Sequence, residues 1–291
     1  DLINNLKKHN IDIGILITPD FLGAYSLFMS NAKYITVPKI YNGFSPYETI
    51  SYKIIRKLLN TVPHVMGEYA PRQYMNFLTD LIVLNENEIN TKKALSQPKP
   101  ISIDKIDQLF IENNIKKDNF NIVISSSVAN KIKKWPNKKW AMLIDKIYDK
   151  YKSNIILIGI KNDIQDINHI KSLLKPSTKV YDFCGLFSLD ELKALISISN
   201  LFISVDTGPI YIAEAFDIPS IDIIGPMDEN EQPPKSDKNM LVIPKREKPE
   251  IHIMNARQYD KDEALRQINS IEISDVYIQF EKLIESGIIK P

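Results

Sequence analysis

The segment Leu201–Ile224, LFISVDTGPIYIAEAFDIPSIDII, restricts the possible folds of this chain more than any other stretch. Two apolar runs, Leu201–Val205 and Ser220–Ile224, flank a segment with room for little beyond a tight turn and a short helix. Apolar runs of this length, bounded by turn residues, read as buried strands. Asp206-Thr207-Gly208-Pro209 forms the turn. Pro209 suits the first turn of a helix, where its missing N–H costs nothing. Gly208 has no Cβ, so a ligand or another backbone can come close. N–H groups at such a helix start face outward from the carboxyl end of a strand, where open α/β sheets bind ligands, and they favour a phosphate. The same strand–turn–helix with one glycine also occurs in α/β proteins that hold no phosphate.

The rest of the chain repeats the strand–helix alternation, which indicates parallel sheets and an α/β class. In the first part, Ile11–Ile17 and Ile35–Pro38 read as strands, with helices over Leu22–Ser30, near Ile50–Leu59 and within His64–Leu84. Leu2, Ile3 and Leu6 give the opening a helical pattern. Asn85–Pro100 is polar, carries Gln97-Pro98-Lys99-Pro100 and reads as a connector. This predicts an amino-terminal lobe over 1–100 and a carboxyl-terminal lobe over 101–291. The first lobe supplies few strands, which suggests an incomplete, amino-terminally shortened unit. In the second, Asn121–Ser125 and Ile155–Ile158 read as strands, the first feeding the Ser125-Ser126-Ser127 loop. Trp140, Leu143, Ile144, Ile147, Tyr148 and Tyr151 form a helical stripe after Pro136. Ser188 and Glu191 form a capping box. Val276, Phe280, Leu283 and Ile284 share one face of a final helix that Gly287 can end.

Charge excludes one class of partner. Lys+Arg and Asp+Glu number 37 and 36, so the clustered basic excess of a nucleic-acid footprint is missing. The single cysteine, Cys184, permits no internal disulfide, fits a reducing compartment and reads as a small core residue. No apolar run approaches the length of a membrane span, and residues 1–20 show no signal-peptide pattern, so a cytoplasmic location is expected.

Residues 131–140, KIKKWPNKKW, place five lysines at a strand–loop–helix junction. Basic side chains oppose the macrodipole at a helix start, a conflict that a bound anion would relieve. An ammonium beside a departing phosphate gains energy as charge develops; a plain solvated helix start is the alternative. Asp206 would repel a diphosphate at contact distance, which leaves sugar hydroxyls, a backbone amide or a helix-capping role. The four histidines are scattered, and Asp260-Lys261-Asp262 reads as part of a charged loop away from any strand end, so no metal site is expected. Sequence signatures of dinucleotide, P-loop and nucleophile-elbow sites are absent.

Five pieces in this order resemble the lipopolysaccharide heptosyltransferase family, glycosyltransferase family nine. They are Lys133-Lys134-Trp135-Pro136, Gly159-Ile160-Lys161-Asn162-Asp163, Cys184-Gly185 with Ser188-Leu189 and Glu191-Leu192, Asp206-Thr207-Gly208-Pro209, and Gly225-Pro226-Met227-Asp228. The resemblance covers Asn121–Gln232 closely and Ile11–Leu84 loosely. It implies a GT-B-like architecture of two Rossmann-like lobes with parallel sheets, and a metal-independent, inverting transferase without a cofactor. The implied partners are a nucleotide-sugar donor of the ADP-heptose kind and a lipid-linked glycan acceptor, with peripheral contact at most to the inner membrane face. Carried over by residue, Lys133 would contact the donor diphosphate and stabilise the leaving group. Thr207, Gly208 and Pro209 would form the phosphate-binding helix start, and Asp206 would hold sugar hydroxyls. Ser127, Lys161, Asp163 and Tyr211 complete the expected donor site.

Three departures stand out. Tyr211 occupies the place of the family's histidine and cannot be a cation near neutral pH. Met227 removes a threonine hydroxyl from the Gly-Pro loop. The family's general base, an aspartate in a loop after its first strand, would lie upstream of Asp1, which leaves the base unassigned and roughly 10²–10⁴ in rate at stake. A non-catalytic nucleotide-sugar binder or inactive remnant is therefore the alternative expectation, with a two-lobed epimerase-like isomerase third.

Overall fold

The computed structural model describes residues 2–82 and 95–291, which form two compact units. Most of the expected connector lies outside the described residues; its last residue, Pro100, instead begins a helix.

The first unit takes the described residues up to 82 together with 230–232 and 249–260. Helix α1 (Leu2–Lys8) precedes strand β1 (Ile13–Ile15), helix α2 (Phe21–Met29), strand β2 (Tyr34–Tyr41), helix α3 (Ile50–Ile55), strand β3 (Asn60–Val65) and helix α4 (Ala70–Met75). The strands form a parallel sheet in the order β1-β2-β3. Asp20 caps α2 by accepting from Gly23 N at 2.6 Å, and Thr49 caps α3 by accepting from Tyr52 N at 3.2 Å. Ala24, Ile35, Val37, Tyr52 and Ile55 make its core. Glu231, 1% exposed, ties three stretches of this unit together. Its carboxylate accepts from Gly67 N at 2.8 Å and Ile253 N at 2.6 Å, and its carbonyl oxygen accepts from Ala70 N at 2.7 Å.

The second unit carries a six-stranded parallel sheet. It contains α5 (Pro100–Glu112), β4 (Asn121–Ser125), α6 (Asn137–Tyr151), β5 (Asn154–Ile158), α7 (Ile164–Ser172), β6 (Val180–Asp182), α8 (Leu189–Ser197) and β7 (Leu201–Val205). These are followed by α9 (Gly208–Ala215), β8 (Ser220–Ile223), β9 (Asn239–Val242), α10 (Lys261–Ser270) and α11 (Ile273–Glu285). The strand order is β6-β5-β4-β7-β8-β9.

Strand alternation divides the core of this unit into two layers. Ile122, Ile124, Ile155, Leu157, Leu201, Ile203, Ile221 and Ile223 face α6, α7, α10 and α11. Val123, Ile156, Ile158 and Phe202 face the other way, against α5, α8 and α9. Helices thus cover both faces, which explains why the inner strands β4, β5 and β7 are largely apolar. The Ser188–Glu191 capping box forms at the start of α8, and Gly287, at φ 72°, follows the end of α11. Asp262 stands in the first turn of α10, so the D-x-D stretch opens a helix.

Candidate functional site

The carboxyl ends of β4, β5 and β7 open onto a cavity of about 390 Å³. Its position follows from the topology. From β4 the chain runs outward through β5 and β6, then crosses back and leaves the other way through β7, β8 and β9. The connections after β4 and β7 therefore diverge and leave a crevice at the switch point, where α/β sheets bind ligands. Its volume is that of an ordinary small-molecule site.

One wall is polar. Thr207 precedes α9, and Gly208 and Pro209 begin it. The first N–H groups of a helix have no helical acceptor. Pro209 has none to offer, and Ile210 N donates back to Thr207 O at 3.1 Å, which leaves the Gly208 N–H as the donor of this turn. A Cβ built on Gly208 would meet nothing within 4 Å, and φ there is not positive. The chain's own packing thus gives no reason for glycine at this position; room for an incoming group does. The Thr207 hydroxyl is buried without a hydrogen-bond partner.

Lys133 also lines the cavity. It closes a short 3-10 turn, Lys131–Lys133, held on both sides by buried Ile132 and Trp135. Trp135 packs edge-on against Trp140 at 4.9 Å, and its Nε1 donates to Ile271 O at 3.0 Å. Lys134 pairs with Asp166, and Lys139 reaches Asn269, Ile271 and Glu272 around the start of α11. Of the five lysines in this segment, Lys133 is the one in the cavity wall. Its ammonium donates to Asp206 O at 2.6 Å and to Asp206 Oδ2 at 3.0 Å.

Asp206, 4% exposed, lies behind the wall rather than in it. Tyr211 Oη lies 3.4 Å from Asp206 Oδ1. Burial, with the carboxylates of Asp206 and Asp222 adding to it, pushes the Tyr211 phenol well above its usual range, so it remains a neutral hydroxyl. Ser127 and Asp163 meet directly: Ser127 Oγ donates to Asp163 Oδ2 at 2.5 Å, and Ile160 N donates to the same oxygen at 2.8 Å. This pair ties the loop after β4 to the loop after β5. Lys161 and Tyr211, like Asp206, are not among the lining residues, whereas Ser127, Lys133, Asp163, Thr207, Gly208 and Pro209 are.

Another part of the lining is apolar. Val128, Ile158, Ile160, Phe187 and Leu192 line it, with Phe187 set edge-on to Phe183 at 5.9 Å. None of these is among the site residues expected from sequence, because an apolar side chain carries no chemical signal of a ligand. Gly159 also lines the cavity, and a Cβ there would come within 2.7 Å of Ser127 Oγ and 3.0 Å of Cys184 Sγ. Cys184 itself is half-buried at the edge of the core, and burial raises its thiol pKa to about 11. Arg246 was also unforeseen. Its guanidinium donates to Gly225 O at 2.7 Å and Met227 O at 2.6 Å and pairs with Glu229, which fixes the loop after β8.

Residues 67–259, well over half of the chain, match the sequence profile of glycosyltransferase family 9 (heptosyltransferase). The chain belongs to this family. The family 9 chain is 31% identical over 108 residues to lipopolysaccharide heptosyltransferase 3 of Escherichia coli, across 37% of its own length. That match spans about a third of the relative, 32% of its length. Among solved structures, 98% of the chain superposes on 78% of a glycosyl transferase family 9 protein from Veillonella parvula, with a TM-score of 0.76 and 16% identity. It also superposes on 80% of the E. coli ADP-heptose lps heptosyltransferase II, with a TM-score of 0.70 and 15% identity. At these identities the likeness is one of fold, and it bears out the GT-B-like α/β architecture with parallel sheets.

Proposed function

We propose that this family 9 chain transfers a sugar, a heptose by its family, from a nucleoside-diphosphate donor to a lipid-linked glycan acceptor at the cytoplasmic face of a membrane. One observation carries the reading: the Lys133 ammonium and the start of α9 share one cavity, with open space over Gly208. The donor diphosphate sits against the Gly208 N–H and the Thr207 hydroxyl, with Lys133 beside it. The nucleoside lies along Ile158, Ile160, Phe187 and Leu192. The E. coli relative named for ADP-heptose supports adenine as the base.

The acceptor hydroxyl oxygen attacks the anomeric carbon as that carbon's bond to the diphosphate oxygen breaks, the hydroxyl proton passes to water, and the configuration inverts. Negative charge grows on the departing diphosphate, where fixed donors stabilise it more than they stabilise the bound donor. Lys133 and the α9 amide supply this without a metal ion. Asp206 orients Lys133 from behind, while Ser127 and Asp163 hold the two loops that frame the entrance. Among the described residues, no helix is long and apolar enough to cross a membrane.

The test is a transfer assay in the presence of a chelator. ADP-, UDP- and GDP-linked sugars are offered with a lipopolysaccharide-core acceptor, and products are read by mass spectrometry. The expected product is an acceptor one sugar heavier, with one nucleoside diphosphate released. Nucleotide binding without transfer from any donor contradicts the reading in favour of a non-catalytic binder. Conversion of the donor without an acceptor contradicts it in favour of an isomerase.

A further inference from the structure

Behind the cavity, on the sheet face covered by α9, lies a carboxyl group that the proposed reaction does not use. Asp222 on β8 is fully buried, and neither of its oxygens has a hydrogen-bond partner. Ile221 and Ile223 point to the opposite layer, so Asp222 shares its face with Ser204 of β7 and with Asp206, which follows that strand. Ser204 is its register partner, and the Ser204 hydroxyl is also buried and unpartnered. Asp206 stands two residues farther along and is therefore its diagonal neighbour. Tyr211 and Glu214 of α9 and Lys133 are the other titratable groups around this pair.

A buried carboxylate with no donor is too costly to keep ionised. Burial, reinforced by the nearby charge of Asp206, holds the Asp222 carboxyl well above its usual range, so it is a neutral acid with a hydrogen to give. In this structure Asp206 Oδ2 is taken by Lys133. An ammonium drawn onto a diphosphate would strip that oxygen of its donor and leave a buried charge exposed to its own desolvation cost.

We propose that Asp222 is a positioning residue for the donor site: as a neutral acid it supplies the hydrogen bond that Asp206 loses when Lys133 turns to a bound diphosphate. The exchange needs no proton transfer. Lys133 keeps its charge, Asp222 keeps its proton, and only the partner of Asp206 Oδ2 changes. This deepens the reading of the cavity as a nucleoside-diphosphate site and depends on it.

Two substitutions separate the role from mere filling of space. Asp222→Asn keeps a hydrogen-bond donor, and Asp222→Leu keeps the volume without one. Titration with ADP should show Asp222→Asn binding close to the parent and Asp222→Leu binding about tenfold more weakly, the worth of a hydrogen bond to a charged group. Asp222→Leu should melt no lower than the parent, because an apolar side chain replaces an unpaired polar one. A residue that only fills space would leave ADP binding by Asp222→Leu at the parent level, and that result overturns the proposal. No ADP binding by the parent would instead sink the donor-site reading itself. Infrared spectroscopy tests the parent independently of any variant's folding. A protonated carboxyl band at neutral pH, lost in Asp222→Asn, is expected; its absence from the parent overturns the proposal.

Discussion

Lys133 Nζ donates to both the carbonyl oxygen and the side-chain Oδ2 of Asp206, at 2.6 and 3.0 Å. With side-chain exposures of 15% and 5%, the pair is largely out of water, yet Lys133 still lines the cavity. Two ammonium hydrogens go to Asp206, and a diphosphate entering the cavity would compete with Oδ2 for one of them.

Lys133→Met should therefore do two separable things. ADP affinity should fall by about tenfold or more, because a charge-assisted hydrogen bond is lost. The melting temperature should also fall, because buried Asp206 loses its ammonium partner; breaking a buried ion pair costs up to about 3–5 kcal/mol. In the double variant with Asp206→Asn, melting should recover and ADP binding should not. Calorimetric titration and thermal melts on the same samples separate the two effects.

Gly208 and Gly159 should respond in opposite ways. A side chain at Gly208 enters open space, so Gly208→Val should leave the melting temperature near the parent's while weakening ADP binding by at least about tenfold, through steric exclusion of the phosphate. Gly159→Ala forces its methyl into Ser127, Asp163 and Cys184 and should cost about 1–3 kcal/mol of stability, read by denaturant melts.

Phe187 provides a test of nucleoside placement. Phe187→Ala should weaken ADP binding by about 1–3 kcal/mol, the range for base–aromatic stacking, while leaving inorganic pyrophosphate binding unchanged. Competition titration with the two ligands separates base from phosphate contacts.

His64 gives the first unit a pH dependence. Its ring is fully buried on β3, near Tyr74, with both nitrogens unpartnered. Burial lowers its pKa from the ordinary 6.5, and Glu231 and Glu68 only partly oppose this. The unfolded chain then binds a proton that the folded chain resists. The stabilisation is whole above about pH 6.5 and is lost as pH falls from there toward the lowered folded-state value. Melting curves between about pH 8 and pH 5 should show His64→Phe losing less stability on acidification than the parent does.

Much of this fold is legible in the sequence where the sheet is covered on both faces. The strands β4, β5 and β7 announce themselves as nearly continuous apolar runs because both of their faces are buried. Strand β3 was missed because Asn60, Thr61, Pro63 and His64 leave Val62 and Val65 with little apolar signal, and a proline argues against a strand unless it lies at an edge. Helix α5 was missed because exposed Ile101 and Ile111 blur the stripe made by Ile106 and Phe110. The same division holds at the site. Lys133, Thr207 and Gly208 sit in motifs with chemistry of their own, whereas Phe187, Leu192 and Asp222 acquire meaning only from what the fold sets beside them.

The most direct measurement is a crystal structure of the chain with ADP. The account predicts diphosphate oxygens within hydrogen-bonding distance of Gly208 N and Lys133 Nζ, with the adenosine against Phe187. A diphosphate bound elsewhere, or one whose oxygens contact neither group, would contradict it.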